Sequence, residues 1–187
     1  MEEAERSARI AAKNPMTPGQ GDFLRYFTLV SLKNEHPVTL RVIRAIPEDR
    51  ADYRPHEVGR SAIDLAWHIV SAEHRFLAAV VNGEFDFTGT KPEEVQTVAD
   101  VARWYVAAFQ RDIEGIKALS SEALVKIVDF RGLYQLPAVT YLQVGLNHTI
   151  HHRGQLSTYL RPMGAKVPSI YGESYDAAQA RQAAPLH

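Results

Sequence analysis

Residues 146–160 read LNHTIHHRGQLSTYL and place three histidines, His148, His151 and His152, in a run of five residues. At about 100° per residue of an α-helix, His152 falls about 40° from His148. Tyr141, Val144, Gly145, Gln155, Leu156, Tyr159 and Met163 fall on the same side, so the segment reads as a helix with an apolar face and a polar centre. Asn147, Ile150, Ser157 and Arg161 lie opposite, and His151 sits at the margin. A long helix with histidines on its inward face points to a helix bundle, whose sites are built between facing helices.

The rest of the chain agrees with that class. Phe23, Phe27 and Val30, then Leu40, Ile43 and Ile46, recur at helical spacing. Pro37 interrupts them and should kink the segment or split it in two. Residues 47–60 are polar with two prolines and read as a loop. The next helix is expected from Ser61 to Asn82, with Ser61 and Asp64 spaced as a cap and Gly83 as terminator. Residues 84–91 form a loop, and Pro92 is placed to open a third helix reaching about Leu119. Residues 126–136 alternate too loosely for a firm strand and read as a loop or small hairpin. Pro137 is expected to open the last long helix, to about Met163. The reading is thus all-α: a four-helix bundle with a short extra turn or hairpin before the last helix. It occupies a single domain over 17–176, with flexible termini at 1–16 and 177–187.

The chain has 187 residues, 45% apolar and 23% charged, which suits one soluble core. A formal net charge of −1 and the lack of a basic stripe give no basis for nucleic-acid binding. No segment approaches the ~20 apolar residues of a membrane span, and the acidic N-terminus does not resemble a secretory signal. A cytoplasmic location is therefore expected. There is no cysteine, so any metal site must use histidine, carboxylate and water.

The i, i+4 spacing of His148 and His152 lets two imidazoles on adjacent turns reach one ion. It equally suits two hydrogen-bonded core histidines, and spacing alone leaves both readings open. A metal would need a further ligand. His187 is terminal, His56 lies in a loop, His36 precedes Pro37, and His74 falls on the side of its helix expected to face solvent. His68, in LAWHIVSAE, lies at the edge of a buried face made by Leu65, Ile69, Ala72, Phe76 and Val80. It is the best partner for the pair, and a solitary core histidine is the competing reading.

Three stretches together resemble the DinB-like family, a damage-inducible group that includes bacillithiol- and mycothiol-dependent transferases. NHTIHHRGQL (147–156) resembles its N-H-x-x-x-H-R-G-Q-L helix, and LAWHIVSAEHRFL (65–77) its A-x-H-I-x-x-x-E helix. YLRPMGAKVPSIYGESYD (159–176) resembles its L-R-x-x-G-x-x-V-P-x-x-Y-G ending. The resemblance, from about residue 20 to 176, implies an up-down bundle with an unusual connection order. It also implies one divalent metal on His68, His148 and His152, with His151 as a neighbour and not a ligand. Pro37 departs from what the family would lead one to expect of a straight first helix.

Three imidazoles leave coordination positions open, the pattern of a catalytic site. Zinc is the first expectation, with nickel or iron as alternatives. The open position suits a water made nucleophilic for hydrolysis, or a low-molecular-weight thiol brought by a cofactor. The expected activity is therefore a thiol-dependent transferase or a hydrolase on a small-molecule substrate. The alternative is a non-catalytic metal- or ligand-binding protein. Gln155, Tyr141 and Tyr159 are candidates to line the cavity or support the ligands, with core packing as the competing role of the tyrosines. Asp64 is a candidate to support His68, with the helix cap as its competing and favoured role. Glu73 falls about 140° from His68 and Arg153 about 140° from His148, and both are set aside as catalytic groups. A homodimer is a further expectation, because bundles of this size often expose an apolar helix face.

Overall fold

In the computed structural model, which describes residues 16–183, the first helix starts where local chemistry dictates. The Thr17 hydroxyl accepts from the Gln20 N–H, and the Gln20 side chain accepts from the Thr17 N–H, a reciprocal cap that opens α1 (Pro18–Arg44). Pro37 does not split α1. It and Lys33, whose carbonyl loses its N–H partner, are both exposed, so water can take that bond and the helix runs on.

After a 3-10 turn at Glu48–Arg50, α2 (Ala62–Asn82) is capped by Ser61, whose Oγ accepts from the Asp64 N–H at 3.2 Å. Gly83 closes it at φ 76°, a conformation that suits glycine. Pro92 does not open the third helix. Its carbonyl accepts from Val95 in a turn, and α3 (Val98–Ala118) begins where Thr97 and Asp100 cap each other. The Glu48 carboxylate adds two bonds to that end, from the Val98 and Ala99 N–H groups.

A single helical turn, α4 (Ser121–Leu124), leads into a hairpin of β1 (Ile127–Phe130) and β2 (Tyr134–Pro137). Arg131 and Gly132 both take positive φ in its turn. Pro137 thus ends a strand, and the last long helix, α5, spans Thr140–Leu160. Where a loose tail was expected from residue 177, a short helix, α6 (Tyr175–Ala183), forms instead. Asp176 holds it, accepting from Arg161 and from the Val167 N–H. The expectations for residues 1–15 and 184–187 lie outside the described residues.

Two apolar clusters fill the bundle and fix the helix directions. One joins the end of α1 (Val42, Ile43) to the starts of α2 (Leu65, Ile69) and α3 (Val98, Val101) and the end of α5 (Leu156, Leu160). The other joins the start of α1 (Leu29, Leu32) to the ends of α2 (Leu77, Val80) and α3 (Ile113, Ile116) and the start of α5 (Leu142, Leu146). The four long helices therefore run up, down, down, up. Both α2 and α1 pack against α5 and α3, so the α1–α2 and α3–α5 connections cross the bundle diagonal. The 83–97 connection returns the chain to the first end. Among the described residues no helix is long and apolar enough to cross a membrane.

Candidate metal centre

His68 lies two turns into α2, and His148 and His152 occupy successive turns near the middle of α5. These helices are antiparallel neighbours, so the three rings meet. Their centroids lie 4.9 Å (His68–His148), 4.6 Å (His68–His152) and 4.4 Å (His148–His152) apart. One nitrogen from each lies within 4.8 Å of the other two. Gly145 permits the approach: a Cβ there would stand 2.8 Å from the Phe76 Cβ, and the Phe76 ring packs on His148 at 5.9 Å.

The donor chemistry fits a cation. His152 Nδ1 lies 3.0 Å from Gln155 Oε1, a carbonyl that accepts, so Nδ1 donates. In the neutral ring Nε2 then carries a lone pair, and it stands 3.3 Å from His68 Nε2. Only a proton or a cation between them makes that approach favourable. His148 Nδ1 is buried without a hydrogen-bond partner among the described residues. Burial, followed by the positive charge of Arg60, brings His68 down to about 4. Burial also brings His148 down to about 4, followed by its histidine neighbours. Both rings are thus neutral near pH 7, the form that ligates. Imidazoles alone, with no thiolate and no carboxylate, suit zinc, nickel or iron.

The other candidate residues divide. Gln155 holds His152 and also reaches Tyr159, its Nε2 lying 3.5 Å from the tyrosine hydroxyl. Asp64 is exposed and takes part in the Ser61 cap, its carboxylate accepting from the Ser61 hydroxyl at 2.6 Å. Tyr141 is spent on the hairpin, donating to the Val128 carbonyl at 2.9 Å. His151 is exposed, with its ring 4.8 Å from that of His152. His74 does not face open solvent as its wheel position suggested; its Nδ1 pairs with the buried Asp112 at 2.7 Å between α2 and α3. Phe130 of the hairpin stacks on Phe76, Phe85 of the 84–91 loop meets Phe76 edge-on, and Phe87 packs on Phe85 and Phe130, forming an aromatic wall beside His148.

Sequence reasoning missed a buried polar network on the other side of α5. Glu73, 2% exposed, accepts from the Tyr105 hydroxyl at 3.0 Å and the Thr149 hydroxyl at 2.6 Å. Arg153, 1% exposed, pairs with Glu35 and donates to Thr39 and to the Tyr171 hydroxyl. The ring of His36 stacks on Phe109 at 3.9 Å, and its Nδ1 has no partner among the described residues. A signal was present, since Thr149 and Arg153 repeat the spacing of His148 and His152 one residue later.

Fold and site together define a four-helix bundle with a histidine cluster of metal-binding form between two antiparallel helices. The chain belongs to the DinB family, whose model matches residues 22–184. It is 29% identical over 130 residues to the uncharacterized protein YjoA of Bacillus subtilis (strain 168), covering 68% of this chain and 82% of that one. It is 28% identical over 113 residues to the uncharacterized protein YrdA of the same organism, covering 58% of this chain and 64% of that one. The crystal structure of the DinB-like protein YjoA matches with a TM-score of 0.65 at 25% identity, over 76% of this chain and 96% of that one. A DinB-like protein from Bacillus cereus ATCC 10987 matches with a TM-score of 0.66 at 25% identity, over 77% and 95%.

Proposed function

We propose that this chain is a metal-dependent enzyme acting on a small molecule, with a divalent ion on His68, His148 and His152. The observation that carries the reading is the convergence of three imidazoles from two helices, one with a lone pair fixed by Gln155 and one with a buried nitrogen lacking a partner. Such an ion supplies a Lewis acid and lowers the pKa of a water or thiol completing its coordination. The chain's own residues do the rest. Gln155 sets the His152 tautomer and ring plane, a support that such ligands usually need. Arg60 places positive charge near His68, which favours an approaching thiolate or other anion. The aromatic wall of Phe76, Phe85, Phe87 and Phe130 offers an apolar surface to a substrate's organic part. His151, exposed beside the cluster, can pass protons between the site and water.

Two activities fit: transfer of a low-molecular-weight thiol to an electrophile, and hydrolysis. Protein without a histidine tag, assayed with aryl halide electrophiles plus small thiols and with activated esters, should turn over at least one class. Chelation should remove that turnover, and zinc, nickel or iron should restore it. Metal-loaded protein inert toward both classes would overturn the enzymatic reading while leaving the metal site standing. The reading includes a homodimer through the exposed face of Phe23, Tyr26, Phe27 and Val30 on α1, which light scattering would report as twice the chain mass.

A further inference from the structure

A cavity of about 500 Å³ lies on the far side of α2, between α2 and α3 and under the 83–97 connection, within the size range of small-molecule sites. None of the three clustered histidines lines it. Trp67 and Trp104, the chain's two tryptophans, both do, with their rings 4.8 Å apart. His74 packs edge-on to Trp104 at 5.4 Å and is held through Nδ1 by the buried Asp112, so that carboxylate is already matched. Asp86 accepts from the Thr88 N–H and hydroxyl. Arg111, also in the lining, lies 3.9 Å from the same Asp112 carboxylate. Arg75 and Glu84 have no ion pair or side-chain hydrogen bond among the described residues, and the Arg75 guanidinium lies 5.8 Å from the Phe87 ring. A cation and an anion, neither in an ion pair, thus share a cavity with two indoles.

We infer that this cavity is a second binding site, for a small zwitterion of the amino-acid class bearing an apolar or aromatic group. Its carboxylate would meet the Arg75 guanidinium, a fork suited to carboxylates, and its ammonium would meet Glu84. Its side chain would lie against the indoles, where aromatic contact adds to burial. A ligand with one charge would leave the other wall unmatched, so the site selects for both charges together. The inference does not depend on the metal reading.

Because both tryptophans line the cavity, intrinsic fluorescence reports on it directly. The probes are L-phenylalanine, phenylethylamine and 3-phenylpropanoate. L-Phenylalanine should give a saturable change, and each singly charged analogue should bind at least about tenfold more weakly, a difference of about 1.4 kcal/mol. Arg75→Gln and, independently, the exposed Glu84→Gln should each weaken L-phenylalanine at least tenfold, whereas His148→Ala should leave its affinity unchanged. No saturable change with L-phenylalanine overturns the inference. So does equal or tighter binding of either analogue, or an affinity untouched by both variants.

Discussion

Glu73 is a carboxylate without solvent. Burial raises it from 4.5 to about 7, against the pull of its Thr149 and Tyr105 hydrogen bonds. Between those pH values the folded chain holds a proton that the unfolded chain has released, so stability falls as pH rises from 4.5 to about 7 and stays lower above. The shift corresponds to about 3 kcal/mol. Glu73→Gln should be more stable than the parent at pH 8 by up to about that amount and close to it at pH 5, as read by urea denaturation. An unchanged pH dependence would contradict this. His36 works in the opposite direction. Burial, with Arg44 nearby, lowers it from 6.5 to about 4, so its contribution is lost as pH falls through that range. Arg153 is a buried charge whose partner is Glu35, so Arg153→Ala should cost about 3–5 kcal/mol, lowering the melting temperature by roughly 10 °C. These residues were hard to read because one wheel assigns one inward face to each helix. In this bundle α5 packs on both α2 and α1, so His148 and His152 face one neighbour while Arg153 faces the other.

At the scale of elements, the close packing of α2 on α5 sets the histidine geometry. Gly145→Ala would drive a Cβ into the Phe76 Cβ, atoms too near the backbone to swing aside. The variant should fold with reduced stability and bind zinc at least tenfold more weakly by competition with a chelator, because the helices carrying His68 and His148 are pushed apart. Undiminished zinc affinity would show that the helix spacing does not set the site. Ser61→Ala, by contrast, removes only the α2 cap and should cost about 1 kcal/mol without changing zinc affinity. The existence of the helices was legible from apolar periodicity, and the α2 start from its cap. The α5 start was not, because Pro137 pairs with Ile127 in the hairpin and α5 opens without a side-chain cap. Nor was the α3 start, because proline is permitted at a first helical position but side-chain hydrogen bonds fix where that helix begins. Thr97 and Asp100 outrank Pro92 in this way. The hairpin stayed ambiguous because each strand has four residues, too few for alternation to register.

At the scale of the whole molecule, the helix order up, down, down, up was not written in any one segment. It emerges from which helix ends share a cluster, a property of distant contacts. The diagonal connections bring α2 beside α5, so a histidine eighty residues before His148 becomes its neighbour. Metal binding to the folded state alone adds stability as RT ln(1 + [L]/Kd), so chelation should lower the melting temperature by several degrees. The most direct measurement is elemental analysis of protein purified without a histidine tag. The structure predicts about one divalent ion per chain in the parent, and less than about a tenth of that in His148→Ala with the fold retained by circular dichroism. A His148→Ala protein that keeps its full metal content, or a folded parent that takes up none when zinc, nickel and iron are supplied, would contradict the account.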